Sequence, residues 1–156
     1  MSKARINPQP TILNRRARYE YELLDEYEAG IVLVGTEVKS LRAGKANVGD
    51  AFAIHKDNEL WLHNLHISEY HGGNRFNHEP KRPRKLLLKK REISKLIGQL
   101  QVKGLTLVPL AVLFNDKGLV KIKLAVGRGK KAHDKRESEK ERDWSREKSR
   151  LLKHGE

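Results

Sequence analysis

Tyr19, Tyr21 and Leu23 alternate with Glu20, Glu22 and Leu24, a period that predicts a half-buried strand. Ala29-Gly30 then reads as a turn, and IVLV at 31–34 as a short apolar strand. Thr36 is placed to N-cap a helix over 37–43, with Val38 and Leu41 inward and Gly44 ending it. AFAIH (51–55) and ELWLHNLHI (59–67) are strand-like, and Asp57-Asn58 between them is a hairpin turn in composition. HGGNRFNHEPKRPR (71–84) has the Gly, Asn and Pro content of a loop. Over 89–102, Ile93, Leu96, Ile97 and Leu100 recur at the spacing of one helix face, and Gly104 stops that helix. LTLVPLAVLF and LVKIKLAV flank NDKG as a last hairpin, and Pro109 within it demands an edge or a bulge. Short strands with two helices predict a mainly β chain, a small, mostly antiparallel barrel with flanking α-helices.

Composition divides the chain. Of its 156 residues 37% are hydrophobic, below the roughly 45–50% of ordinary globular domains. After residue 127 little besides Trp144, Leu151 and Leu152 could enter a core. The folded domain is therefore expected at 11–127, after a flexible N-terminus at 1–10. Residues 128–156 are expected to form a basic tail, disordered or marginally helical when alone. In that tail Glu137/Lys140, Glu139/Arg142, Asp143/Arg146 and Glu147/Arg150 sit three apart, each worth only about 0.2–0.5 kcal/mol to a helix. No apolar run approaches the roughly 18 residues of a membrane span, and no secretory h-region opens the chain, so no membrane partner and a cytoplasmic location are expected.

Charge points to the partner. Lys plus Arg is 33 against 20 Asp plus Glu, a net +13, which favours a polyanion and nucleic acid first. Residues 1–18 hold five basic groups and no acid, residues 19–30 five acids and no base, and residues 81–91 seven bases and no acid. Within the last run, Leu86, Leu87 and Leu88 are expected to anchor the segment while Arg84, Lys85, Lys89 and Lys90 project outward. Such clusters gain affinity together by releasing counterions. Aromatic residues are few, at 6%, which argues against stacking of single-stranded bases and for reading the shape of a folded RNA.

Other chemistries find little support. Without cysteine there are no disulfides, thiolate zinc sites or Cys nucleophiles. His63 and His66 are three apart on an expected strand and point to opposite faces, so a shared metal ion is not expected. Gly127-Arg128-Gly129-Lys130-Lys131 lacks the spacing of a phosphate-binding loop and reads as a flexible exit from the barrel. Asp25, Glu26 and Glu28 cluster, but no companion group makes them a nuclease or glycosidase centre. No cofactor is expected.

EAGIVLVGTEVKSLRAGKANVGDAF (28–52), RPRKLLLKKREISKL (82–96), GLTLVPL (104–110) and GKKAHDKRE (129–137) resemble, in the same order, the signatures of the SsrA-binding proteins, or small protein B. The resemblance runs from about Asn14 to Arg150. It implies an OB-like barrel that grips the tRNA-like domain of transfer-messenger RNA and an adaptor role, without catalysis, in trans-translation on stalled ribosomes. It further implies a tail that enters the empty messenger channel, turns helical and reaches the small-subunit decoding centre. Elongation factor Tu would be an indirect partner through the charged RNA. By motif position Asn14, Glu28 and Leu87 fall where the family binds RNA or supports that site. Arg16, Arg18, Lys39, Ser40, Arg42, Lys45, Arg84 and Lys85 are added as candidate phosphate contacts. Lys130, Lys131, His133, Asp134, Lys135 and Arg136 match the decoding-centre segment, where His133 would stack on a base. The rival reading is a structural protein of the ribosomal RNA, and a metal-dependent nuclease using Asp25, Glu26 or Glu28 is a third.

Overall fold

The computed structural model describes residues 9–130, 136 and 140–148, with backbone alone at 73–75. In chain order it contains β1 (Ile12–Leu13), α1 (Ala17–Glu20), β2 (Tyr21–Ile31), α2 (Gly35–Arg42), β3 (Ala46–Asn47), β4 (Phe52–Lys56) and β5 (Glu59–His63). There follow β6 (His66–Ile67), a 3-10 turn (His71–Phe76), β7 (Arg84–Leu87), α3 (Lys90–Leu100), β8 (Leu105–Phe114) and β9 (Val120–Gly129).

Seven strands form one antiparallel sheet in the order β1-β8-β4-β5-β7-β2-β9, and β8 also pairs with β9, so the pairings run in a ring. Two seams are thin. β4 meets β8 at the single pair Ala53↔Leu107, and β2 meets β7 at Gly30↔Leu87 and Ile31↔Leu86. The expected barrel is thus a ring of strands that does not close into a continuous ladder. Its inside is filled by the alternate residues of each strand, among them Leu60, Leu62, Leu86, Leu107, Ile122 and Leu124, each at most 1% exposed. Leu96 of α3 joins this core from one side and Leu41 of α2 from another.

The hairpins follow their turn chemistry. Asp57 and Asn58 both have positive φ (53° and 61°), the geometry that lets a two-residue turn follow the twist of β4 and β5. Pro109 sits beside a shift in the β8–β9 register between Pro109 and Ala111, the bulge its missing N–H requires.

Several expectations change. Tyr19 and Glu20 belong to α1, not to a strand. Ala29-Gly30 is not a turn: β2 runs through it to Ile31, because a Cβ at Gly30 would lie 3.3 Å from the Leu87 Cβ, so glycine lets β7 approach. Gly127 is no flexible exit but a buried position in β9, where a Cβ would come within 3.1 Å of both Tyr21 Cβ and Val108 Cγ2. α2 is capped from Val34 rather than Thr36, with the Val34 N–H donating to Glu37 Oε1 at 2.9 Å. In the tail, expected to be disordered or marginally helical when alone, residues 140–148 are helical with every side chain exposed, and Arg142 lies over the Tyr19 ring at 5.3 Å.

Candidate nucleic-acid interface

Strand alternation divides each strand into a core face and an outer face. On β7, Arg84 and Leu86 are buried while Lys85 and Leu87 lie outward. Register then sets their neighbours. Gly30 of β2 is opposite Leu87 on one side and Lys121 of β9 on the other, and Glu28 is opposite Lys123. Glu28, Lys85 and Leu87, distant in sequence, are thereby brought onto one outer band together with Lys121 and Lys123. The two β9 lysines were not among the sequence candidates; the alternation V-K-I-K-L is the signal that held them, since it sets both lysines outward around buried Ile122.

The band is not purely cationic. Lys85 Nζ bonds Glu59 Oε1 at 2.9 Å and Lys123 Nζ lies 3.6 Å from Glu26 Oε2. Glu26, Tyr27, Glu28, Leu113 and Lys123 border a recess of about 340 Å³. Behind it, Tyr27 Oη donates to Gln99 Oε1 (3.0 Å) and Gln99 Nε2 to Asp25 Oδ2 (2.8 Å), which ties α3 to the irregular part of β2. Of the acids of 19–30, Glu26 therefore serves pairing and Asp25 anchoring. Among the described residues no three His, Asp or Glu side chains are grouped for a metal ion.

Arg84 does not project outward. It is 0% exposed; its Nε bonds Glu37 Oε2, Nη1 donates to Leu65 O at 2.5 Å and Nη2 to Pro80 O at 3.0 Å. Glu37 is equally buried and also receives Arg82 Nη2 at 2.5 Å. Odd and even positions of one strand cannot share a face, so Lys85 outside places Arg84 inside, where only a paired charge is tolerable. Burial pushes the Glu37 carboxyl up, but the Arg82, Val34 N–H and Arg84 hydrogen bonds together with the Arg84 charge outweigh it and hold Glu37 below its usual value. Burial pushes the Arg84 guanidinium down, opposed by Glu37. A carboxyl with a lowered folded pKa stabilises above its unfolded value and loses that contribution as pH falls. A Glu37→Gln chain should therefore melt well below the parent at pH 7, and the gap should narrow below about pH 4 in thermal melts at stepped pH.

Ser40 is also no phosphate contact: it is 1% exposed and donates to Ser68 O at 2.7 Å. Lys39, Arg42 and Lys45 are exposed on or just after α2, with Lys39 Nζ 5.4 Å from the Tyr70 ring centre. The loop that begins at Tyr70 is closed by a reciprocal pair, Tyr70 N–H to Asn77 Oδ1 at 3.0 Å and Asn77 Nδ2 to Tyr70 O at 2.6 Å. His78, 7% exposed, holds Thr36 to Ile67: its Nε2 faces the Ile67 carbonyl and so carries the proton, and Nδ1 accepts from the Thr36 hydroxyl.

The N-terminal candidates form a further group. Asn14 Nδ2 donates to Pro109 O at 2.8 Å and its backbone N–H to Leu110 O at 2.8 Å, so Asn14 pins the arm to the β8 bulge. Arg16 and Arg18 are exposed. Arg15, Arg18 and Lys130 share an open cleft of about 640 Å³ with Arg142 and Arg146 of the tail. The Lys130 N–H donates to Glu20 O at 2.8 Å, prolonging the β2–β9 ladder to the tail's root. Arg136 is exposed, and Lys131, His133, Asp134 and Lys135 lie outside the described residues.

A ring of antiparallel strands with a mixed cationic and apolar outer band, a basic helix at its side and a basic tail defines a small β-ring protein built to meet a polyanion. Residues 11–154 match the family model described as SmpB protein. The chain is 61% identical over 142 residues to an SsrA-binding protein of Allorhizobium ampelinum, covering 91% of this chain and 90% of that one. It is 60% identical over 151 residues to that of Mesorhizobium japonicum, covering 97% and 95%. It is similar, at TM-score 0.67 and 54% identity, to a chain in a solved structure described as "tmRNA-SmpB: a journey to the center of the bacterial ribosome", covering 79% of this chain and 86% of that one. The chain belongs to the SmpB protein family. Among its described residues no helix is long and apolar enough to cross a membrane.

Proposed function

We propose that this protein binds the tRNA-like domain of transfer-messenger RNA and delivers it to stalled ribosomes, as an adaptor that leaves the chemistry to the ribosome. The observation that carries the reading is the cross-strand register that sets Leu87, Glu28, Lys85, Lys121 and Lys123 on one outer face. Lysines spaced along two strands meet phosphates, while Leu87, 49% exposed, and Glu28 meet sugar and base edges. The names of the relatives supply the RNA, and the ribosomal setting of the similar structure supplies the second partner. Lys39, Arg42 and Lys45 on the α2 side, with Arg16 and Arg18 on the arm, extend the grip. Elongation factor Tu meets the protein only through the charged RNA. The tail, with Lys130, Lys131, His133, Asp134, Lys135 and Arg136 at its root, serves the decoding centre and messenger channel.

Sequencing the RNA that co-purifies with the tagged protein tests the reading, which expects one small RNA with a tRNA-like end. Ribosomal RNA in equal proportion to the protein would favour a structural ribosomal role instead. The Lys121→Glu/Lys123→Glu pair should weaken binding to the isolated tRNA-like domain and reduce the slope of log affinity against log salt by roughly 0.7–0.9 for each phosphate no longer neutralised. An unchanged slope in a filter-binding titration would remove these lysines from the interface.

A further inference from the structure

The outer face of the β4–β5 hairpin carries an apolar and aromatic group outside the basic clusters. Phe52 is opposite His63, Ile54 opposite Trp61, and Trp61 opposite Lys85 of β7. Phe52 is 43% exposed, and one face of its ring stacks on His63 with centroids 5.5 Å apart and planes 12° from parallel. Trp61 and Ile54 are half-buried beside it. A stacked aromatic pair left partly open to water has one ring face still to be covered.

Its position joins what the other candidates leave apart. On the β7 side the group continues through Lys85 into the Leu87–Glu28–Lys121 band. On the other side Phe52 shares a recess of about 230 Å³ with Asn14, Glu20 and Asp50. The two carboxylates make that recess a poor place for a phosphate, whereas the amino edge of a base can donate to them.

We propose that this face is a stacking platform on which one unpaired nucleobase of the bound RNA adds a third layer to the His63–Phe52 stack, held at its edge by the recess beside Asn14. The proposal rests on the RNA-binding reading above. It gives the chain a base-contacting subsite where the composition alone argued against one: three rings separated in sequence are gathered by a two-residue turn and the hairpin's register.

The test is Phe52→Leu, which keeps apolar bulk and removes the π face, against Phe52→Tyr, which keeps both. With the tRNA-like domain of transfer-messenger RNA as probe, Phe52→Leu should weaken binding about tenfold or more with the salt slope unaltered, and Phe52→Tyr should bind like the parent. If Phe52→Leu binds as the parent does while Lys121→Glu/Lys123→Glu binds poorly, the platform is refuted and the RNA reading stands. A parent chain that binds none of this RNA sinks both. Should Phe52→Leu fail to fold, Trp61 emission in a Trp144→Phe chain reads the same contact: quenching on RNA addition supports the platform, and unchanged emission overturns it.

Discussion

Replacing Arg84 with methionine is expected to lower the stability of the folded chain by about 3–5 kcal/mol, a large part of the roughly 5–15 kcal/mol that a domain possesses. Arg84 is the donor for one carboxylate oxygen of Glu37 and for the carbonyls of Leu65 and Pro80. Its loss leaves both carbonyls without that donor and leaves Glu37, fully buried, with Arg82 as its remaining guanidinium. The adjacent Lys85→Met should differ sharply. Its ion pair with Glu59 is 38% and 42% exposed on the two sides, and such pairs contribute at most about 1 kcal/mol. Urea unfolding of the two variants is the measurement. The expected order is Arg84→Met far less stable than Lys85→Met, with RNA affinity at a temperature where both are folded reduced only by the second. Equal stability would mean that Glu37 and Arg84 are not the buried pair described. Adding Glu37→Met to Arg84→Met should recover part of the loss, because removing both charges of a buried pair is cheaper than stranding one.

The Arg84–Lys85 pair also shows where reading the chain reached its limit. The run KRPRKLLLKKR carries charge on both parities of a strand, and charge alone does not say which parity faces the core. The deciding partner, Glu37, lies 47 positions earlier in α2, a separation that no local pattern spans. The same holds for Lys121 and Lys123, whose place in the band depends on Gly30 and Leu87 across two strand boundaries. By contrast, features set within a few residues were legible: the Asp57-Asn58 turn, the α3 face of Ile93, Leu96 and Leu100, and the bulge at Pro109. Gly30 and Gly127 were not, because a glycine in a strand and a glycine in a turn look alike in sequence. What distinguishes them is the side chain pressed against the missing Cβ, Leu87 in one case and Tyr21 with Val108 in the other. The aromatic group escaped for a related reason. Six per cent aromatic content is low as an average, yet register concentrates Phe52, Trp61 and His63 on one face.

A chain ending at Lys130 is expected to bind the tRNA-like domain within a few-fold of the parent and to support no peptide tagging on stalled ribosomes. The cut belongs after Lys130 rather than at residue 127, since β9 continues to Gly129 and the Lys130 N–H still bonds Glu20 O. An earlier end would strip ladder bonds from β2 and confound a tail effect with a loss of fold. The ring, the Glu28–Leu87–Lys121 band and the Phe52 face all lie before the cut, so the affinity they confer should survive. What the cut removes is residues 131–156, nine bases against seven acids, with the helical residues 140–148. Arg142 over Tyr19 and the basic cleft beside Arg18 keep that helix close to the arm in the free chain. A cation–π contact of this kind is worth about 0.5–1 kcal/mol, and Glu141 lies among the cations that share the cleft. Gel-shift titration and a tagging reaction on ribosomes carrying a message without a stop codon measure the two halves. A large loss of RNA affinity on truncation would make the tail part of the grip, and tagging that persists would remove it from the ribosomal step.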